Sequence, residues 1–242
     1  MNKKWIKRLS WGFGILLVLI LASGVFLHFN TYRPTVEALK EAEAAKIENK
    51  TVFFEGEPDK PAVLFYQGAL VENTSYSIWA KKISEAGYPV YLIKQPLNLA
   101  VLAPNKANNI IEKNQIEDYV IGGHSLGGVM ASRFAAQQTK DSGLKGVFFL
   151  ASYPDEKGSL LSFSGEIISI TGSNDGVLNW DAYQKAKDYL PTQTQFKTID
   201  GGNHAGFGSY GNQKKDKKAS ISNAAQQAQV ADILVDWLAQ IK

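Results

Sequence analysis

Apolar residues recur along this chain in two rhythms. Short unbroken runs, such as Ala62-Val63-Leu64-Phe65-Tyr66 and Val147-Phe148-Phe149-Leu150, alternate with longer stretches in which apolar and polar positions interleave. Short apolar runs bounded by turn formers suit strands covered on both faces, and the mixed stretches suit the helices that cover them. The pattern predicts strands at 51–54, 62–66, 89–93, 119–122, 145–151, 166–171 and 194–199. Helices are predicted at 75–86, 126–138, 181–190 and 220–240. Such alternation defines an α/β protein with a doubly wound, mostly parallel sheet, expected as one domain over residues 51–242.

Ahead of that alternation the pattern changes. From Leu9 to Phe29 no residue carries a formal charge, and the stretch is about long enough to cross a ~30 Å hydrocarbon core as a helix. Lys3, Lys4, Lys7 and Arg8 precede it without an acid, which by the positive-inside rule keeps residues 1–8 cytoplasmic and the remainder outside. The expectation is an uncleaved, single-pass signal anchor at 9–29, with the catalytic domain extracellular. The alternative is a signal peptide cleaved near Ala22-Ser23-Gly24 and a secreted product. No cysteine comes after it, which excludes lipoprotein-type attachment. Residues 34–49, rich in Ala, Glu and Lys with Pro34 in the first turn, read as a helix. It would serve as a stalk or linker over 30–50, or lie against the sheet.

Charge narrows the partners. The chain holds 26 Lys+Arg and 23 Asp+Glu, and four of those bases precede the apolar run. The rest of the chain is nearly neutral, so no nucleic-acid partner is expected. Lys214, Lys215, Lys217 and Lys218 form a local basic cluster, read as a solvated loop or as a contact with anionic lipid or cell-wall polymer. The absence of cysteine removes disulfides and thiolate metal sites, and neither a metal site nor a cofactor is expected.

The candidate chemistry centres on Gly123-His124-Ser125-Leu126-Gly127-Gly128, set between the apolar Tyr119-Val120-Ile121 and a helix-like stretch. G-x-S-x-G across a strand–turn–helix join is a nucleophile elbow, in which the glycines relieve clashes and the serine is presented at a helix N-terminus. The chain has three histidines. His28 ends the apolar segment and His124 lies inside the elbow, which leaves His204 in a glycine-rich loop as the general base. The acid should fall between serine and histidine, since this architecture runs Ser…Asp/Glu…His. Asp175, in the loop leaving the run Glu166 to Thr171, is the first choice. Asp155 is the rival, and Asp181 reads as a helix cap. One oxyanion donor should be the N–H of Leu126. The other should come from Gln67-Gly68-Ala69-Leu70, with Ala69 first and Leu70 second.

The chain resembles the α/β-hydrolase superfamily, and is similar to small bacterial hydrolases and esterases near its dienelactone-hydrolase-like branch. The likeness is carried by Tyr66 to Glu72, Lys94 to Ala100, Gly122 to Gly128, Ala151-Ser152-Tyr153-Pro154, Gly172 to Gly176 and Gly202 to Gly208. It departs at Gln67-Gly68-Ala69, where relatives commonly carry Pro-Gly-Gly, and at Lys214-Lys215-Asp216, where a glycine would precede the aspartate. The resemblance implies serine hydrolysis. Dienelactone hydrolases proper use a cysteine nucleophile, so that activity is not expected of a chain with none.

Only residues 152–165 separate the expected fifth and sixth strands, too few for a lid domain. An open cleft is expected, lined by Leu70, Tyr76, Leu97, Leu99, Tyr153 and Phe207. The expected function is a membrane-anchored carboxylesterase acting through an acyl-enzyme on Ser125, on small-molecule, lipid or polymer esters. The alternatives are an acyltransferase with the same triad and a non-catalytic binding module.

Overall fold

The computed structural model describes residues 27–241 together with Trp11, Phe13, Val18, Gly24 and Val25. The chain divides into two units, Met1–Thr31 and Tyr32–Lys242. In the first, residues 27–30 are helical, and the N–H and hydroxyl of Thr31 both donate to the Leu27 carbonyl, at 3.0 and 2.8 Å. Most of the expected anchor, and all of its basic flank, lie outside the described residues. Among those described, no helix is long and apolar enough to cross a membrane.

The second unit opens with α1 (Val36–Ala42), whose Ala38 and Ala42 are buried. The Thr35 hydroxyl caps it, Thr35 N–H donates to the Ser209 carbonyl at 2.9 Å, and Glu41 pairs with Lys81 at 2.6 Å. This segment therefore lies on the domain. The helix expected to reach Asn49 stops at Ala42. Lys46–Glu48 (β1) instead pairs antiparallel with Thr51–Phe54 (β2) through a hairpin. Asn49 and Lys50, at φ +48° and +65°, form its two-residue turn, and paired positive φ values match the twist of adjoining strands.

The remaining strands are β3 (Ala62–Tyr66), β4 (Val90–Ile93), β5 (Tyr119–His124), β6 (Leu144–Leu150), β7 (Glu166–Gly172) and β8 (Gln195–Ile199). They complete an eight-stranded sheet ordered β1-β2-β4-β3-β5-β6-β7-β8, antiparallel at β1/β2 and β2/β4 and parallel throughout the rest. Helices α2 (Ser77–Glu85) and α6 (Asn223–Leu238) cover one face, where Trp79, Ile83, Leu234 and Trp237 pack with Phe65 and Phe148. On the other face α3 (Ala107–Asn114) and α4 (Leu126–Ala135) supply Ala107, Met130 and Phe134 against Leu64, Ile121 and Phe149. The last helix to name is α5 (Trp180–Ala186), between β7 and β8. Burial on both sides explains why β3 and β5 read as continuous apolar runs. Between β6 and β7 the chain forms one 3-10 turn, Glu156–Gly158, and no lid domain.

Candidate active site

In a parallel sheet the carboxyl ends of neighbouring strands open on one edge, and the candidate residues converge there. Ser125 comes directly after β5 and sits at φ +52°, ψ −123°, a conformation that costs a non-glycine residue about 1–3 kcal/mol. The surroundings hold it there. Its N–H donates to the Leu150 carbonyl at 3.0 Å, and its own carbonyl accepts from the Ser152 hydroxyl at 2.6 Å and from Gly128 N–H at 3.0 Å. Glycine is required on both sides. A Cβ on Gly123 would lie 2.3 Å from the Gly127 carbonyl carbon, and one on Gly127 would lie 2.2 Å from the Tyr66 carbonyl oxygen.

Asp175 and His204 come from the loops after β7 and β8. Both are about 1 % exposed, and His204 Nδ1 lies 2.8 Å from Asp175 Oδ2. The other carboxylate oxygen accepts the N–H groups of Val177 and Leu178, each at 2.8 Å. Asp175 therefore makes an Asx-type turn with one oxygen and holds the imidazole with the other. His204 Nε2 is buried without a hydrogen-bond partner, so no serine–histidine hydrogen bond is formed.

Asp155 is engaged elsewhere. It receives Arg133 Nε at 3.1 and 3.0 Å and Gly158 N–H at 3.1 Å, and it also pairs with the Arg133 terminal nitrogen. The Arg133 hydrogen bonds hold its carboxyl below the usual carboxylate range. Asp181 does not cap its helix; the Asn179 side chain does, at 3.0 Å from Ala182 N–H.

Of the two candidates for the second oxyanion donor, Leu70 N–H is already given to the Asn98 carbonyl at 2.9 Å. No acceptor among the described residues takes the N–H of Ala69 or of Leu126, the first residue of α4. The expected cleft lining divides. Leu97 is exposed, and Leu70, Leu99 and Tyr153 are half-buried. Tyr76 and Phe207 are fully buried in the core and are not wall residues.

Tyr76 has a different place. Its phenol oxygen accepts the Gly68 N–H at 3.0 Å and lies 2.9 Å from His124 Nδ1. These two contacts link the loop after β3 to the residue before Ser125, and His124 Nε2 is buried without a hydrogen-bond partner. The His124 ring lies against the candidate base: its centroid is 4.6 Å from that of His204. Burial holds the His124 imidazole well below its ordinary range, and the charge of His204 adds to this against a small opposing effect of the His204 backbone.

Asp216 is the other residue whose part the sequence did not reveal. One oxygen accepts Gly176 N–H at 3.0 Å and the other Ala205 N–H at 2.8 Å, so it ties the aspartate loop to the histidine loop. From α6, Gln226 clamps both backbone groups of Asn203, at 3.0 and 2.8 Å. A cavity of about 830 Å³ lies beside this histidine loop, lined by Asn203, Ala205, Asp216 and Lys217 but not by Ser125, Asp175 or His204. Among the described residues no group of three His, Asp or Glu side chains is placed to hold a metal ion.

The chain belongs to the alpha/beta hydrolase family, which it matches over residues 62–228. No curated protein matches it in sequence. Among solved structures it resembles a monoacylglycerol lipase from Paleococcus ferrophilus, at 13 % identity and TM-score 0.59, covering 80 % of this chain and 99 % of that one. A dienelactone hydrolase from Anabaena variabilis aligns at 16 % identity and TM-score 0.56, covering 79 % and 91 %. An alpha/beta hydrolase from the metagenome of Mar Chica lagoon sediments aligns at 13 % and 0.58, covering 81 % and 98 %. At these identities the likeness is one of fold.

Proposed function

We propose that the protein is a serine hydrolase of the carboxylesterase type. Ser125 Oγ attacks an acyl carbonyl, and His204 Nε2 takes its proton and returns it to the leaving alcohol. Asp175 fixes the His204 tautomer and stabilises the imidazolium. The N–H groups of Leu126 and Ala69 receive the developing oxyanion, each donor lowering the barrier by about 3 kcal/mol. Water then releases the acyl group by the same steps in reverse roles. The observation that carries this reading is the buried Asp175–His204 pair at 2.8 Å on the sheet edge where Ser125 is held at φ +52°. The unpartnered His204 Nε2 is compatible with it, because catalytic hydrogen bonds commonly tighten only with substrate bound. A panel of esters tests it: turnover should depend on Ser125, and added alcohol acceptors separate hydrolysis from acyl transfer by their products.

We further propose that residues 9–29 anchor the chain in the cell membrane, with the hydrolase domain outside. The uncharged run and its basic flank support this. Protease shaving of intact cells should digest the domain. Survival beside a digested outer-surface control would refute the orientation, and a mature N-terminus near Val25 would refute the anchor.

A further inference from the structure

The 96–103 loop after β4 has an inverted burial pattern. Asn98 is buried, whereas Leu97, Val101 and Leu102 are 59 %, 48 % and 53 % exposed. The inversion is built in. Leu97 and Asn98 stand at φ +50° and +57°, positions that side-chain-bearing residues adopt only where the surroundings enforce them. Those surroundings are visible. The Asn98 carbonyl accepts Leu70 N–H at 2.9 Å, and its side chain accepts from Lys94 Nζ at 2.5 Å and Gln67 Nε2 at 3.3 Å. Just beyond the loop, Pro104 is tied down by the Tyr66 hydroxyl at 2.7 Å. The strained backbone at Leu97 and Asn98 thus keeps an amide inside and Leu97 in water, and Val101 and Leu102 add two exposed apolar side chains to the same loop. A cluster of that kind marks an interaction surface.

Two observations indicate what covers it. The first is charge. Lys50 and Lys106 both lie near enough to act on Lys94, as does Glu72, and Lys106 Nζ donates to the Lys94 carbonyl. The second is where the chain enters the domain. Tyr32 N–H donates to the Leu70 carbonyl at 2.8 Å and Glu72 N–H to the Tyr32 carbonyl at 3.0 Å. The entering strand is therefore hydrogen-bonded to the oxyanion loop, which is itself bonded to Asn98. From Phe29, where the proposed anchor ends, Tyr32 is three residues away, a reach of at most about 11 Å. The proposed anchor is thus joined to the domain, by a few residues of chain, at the segment that pairs with this loop.

We propose that the 96–103 loop is a membrane-contact surface: Leu97, Val101 and Leu102 enter the bilayer interface, the three lysines face anionic headgroups, and the esters that reach Ser125 are those of amphiphiles in that bilayer. Apolar side chains flanked by lysines suit this interface, because the aliphatic groups bury in the acyl boundary while the ammonium groups remain among phosphates. This inference rests on the serine-hydrolase and anchor readings above.

The absence of native cysteine allows a direct test in the full-length chain. Leu102→Cys and, at the opposite end of the sheet, Glu117→Cys are each labelled with nitrobenzoxadiazole and reconstituted into phosphatidylglycerol/phosphatidylcholine vesicles. The probe at 102 should shift to the blue and be quenched by spin-labelled lipid, and the probe at 117 should do neither. Equal quenching at the two positions would overturn the proposal. A blue shift without lipid quenching would also overturn it, by showing that protein, such as the chain's own apolar segment, covers the patch. In a second arm, Val101→Ser/Leu102→Ser should slow hydrolysis of a vesicle-borne long-chain ester at least about tenfold, with a dissolved short-chain ester within about twofold. Equal loss on both would contradict a membrane role. Fluorophosphonate labelling of the same samples reads the serine-hydrolase assignment separately, and flotation with the vesicles reads the anchor.

Discussion

Asp175 carries two tasks with two oxygens, since Oδ1 holds the Val177 and Leu178 amides and Oδ2 holds His204. Asp175→Asn preserves the turn but offers His204 a donor or a neutral acceptor, so kcat should fall by about 10³–10⁴ with the fold retained. Steady-state kinetics against Asp155→Asn decides the placement: the Asp155 change should cost only local stability, because its carboxylate serves Arg133 and Gly158. His124 yields a pH prediction. Its folded-state pKa lies below that of the unfolded chain, chiefly through burial. The unfolded chain therefore takes up a proton near pH 6.5 that the folded one refuses, so stability is level above that pH and falls below it. The slope for one proton is about 1.4 kcal/mol per pH unit. Asp155, whose folded pKa is lowered by Arg133, loses its contribution only as the pH drops through that folded value, below the usual carboxylate range, so the upper part of the slope belongs to His124. Denaturant titrations between about pH 7.5 and 5 should show the slope in the native chain and a shallower one in His124→Gln. An unchanged slope would remove His124 as its source. Sequence could single out Asp175 and His204 by chain order and by elimination. It could not place Tyr76 and His124 in contact, because they are 48 positions apart and nothing local records the direction of either ring.

At the scale of elements, the join from β5 to α4 was legible because every feature of it is local: an apolar run, a G-x-S-x-G turn and a helix. The glycines there are steric requirements, and Gly123→Ala tests one. Its Cβ would meet the backbone of Gly127 and Gly128 at 2.3 and 2.5 Å, where no flexible side chain can yield. A loss of about 2–3 kcal/mol is expected, seen as a Tm lower by roughly 5–10 °C, together with lost ester turnover. Buried strands such as β3 and the latter half of β6 were equally legible, since burial on both faces writes a continuous apolar run. The edge strand β1 was not. Its three residues are all exposed, so no burial pattern marks it, and its Ala/Glu/Lys-rich surroundings favour helix until the Asn49-Lys50 turn offers backbone pairing to β2. Tyr76 and Phe207 were expected to line the cleft. Their packing faces the core instead, where Phe207 receives the Trp79 indole N–H at 3.2 Å.

For the whole molecule, the sheet supplies one edge, and connections between loops hold it in shape. Asp216 joins the loops after β7 and β8, Gln226 fastens the loop of His204 to α6, and Tyr76 links the loop after β3 to the residue before Ser125. These long-range polar contacts are what the sequence left unread, while the layered α/β architecture came from apolar periodicity alone. If this edge is the active site of a serine hydrolase, as proposed, its nucleophile is Ser125. Fluorophosphonate labelling of the intact chain, read by whole-protein and peptide mass, tests it most directly. A single adduct on Ser125 is predicted, absent from a Ser125→Ala variant of unchanged Tm. An adduct on another serine, or labelling that persists in the variant, would rule out Ser125 as the nucleophile.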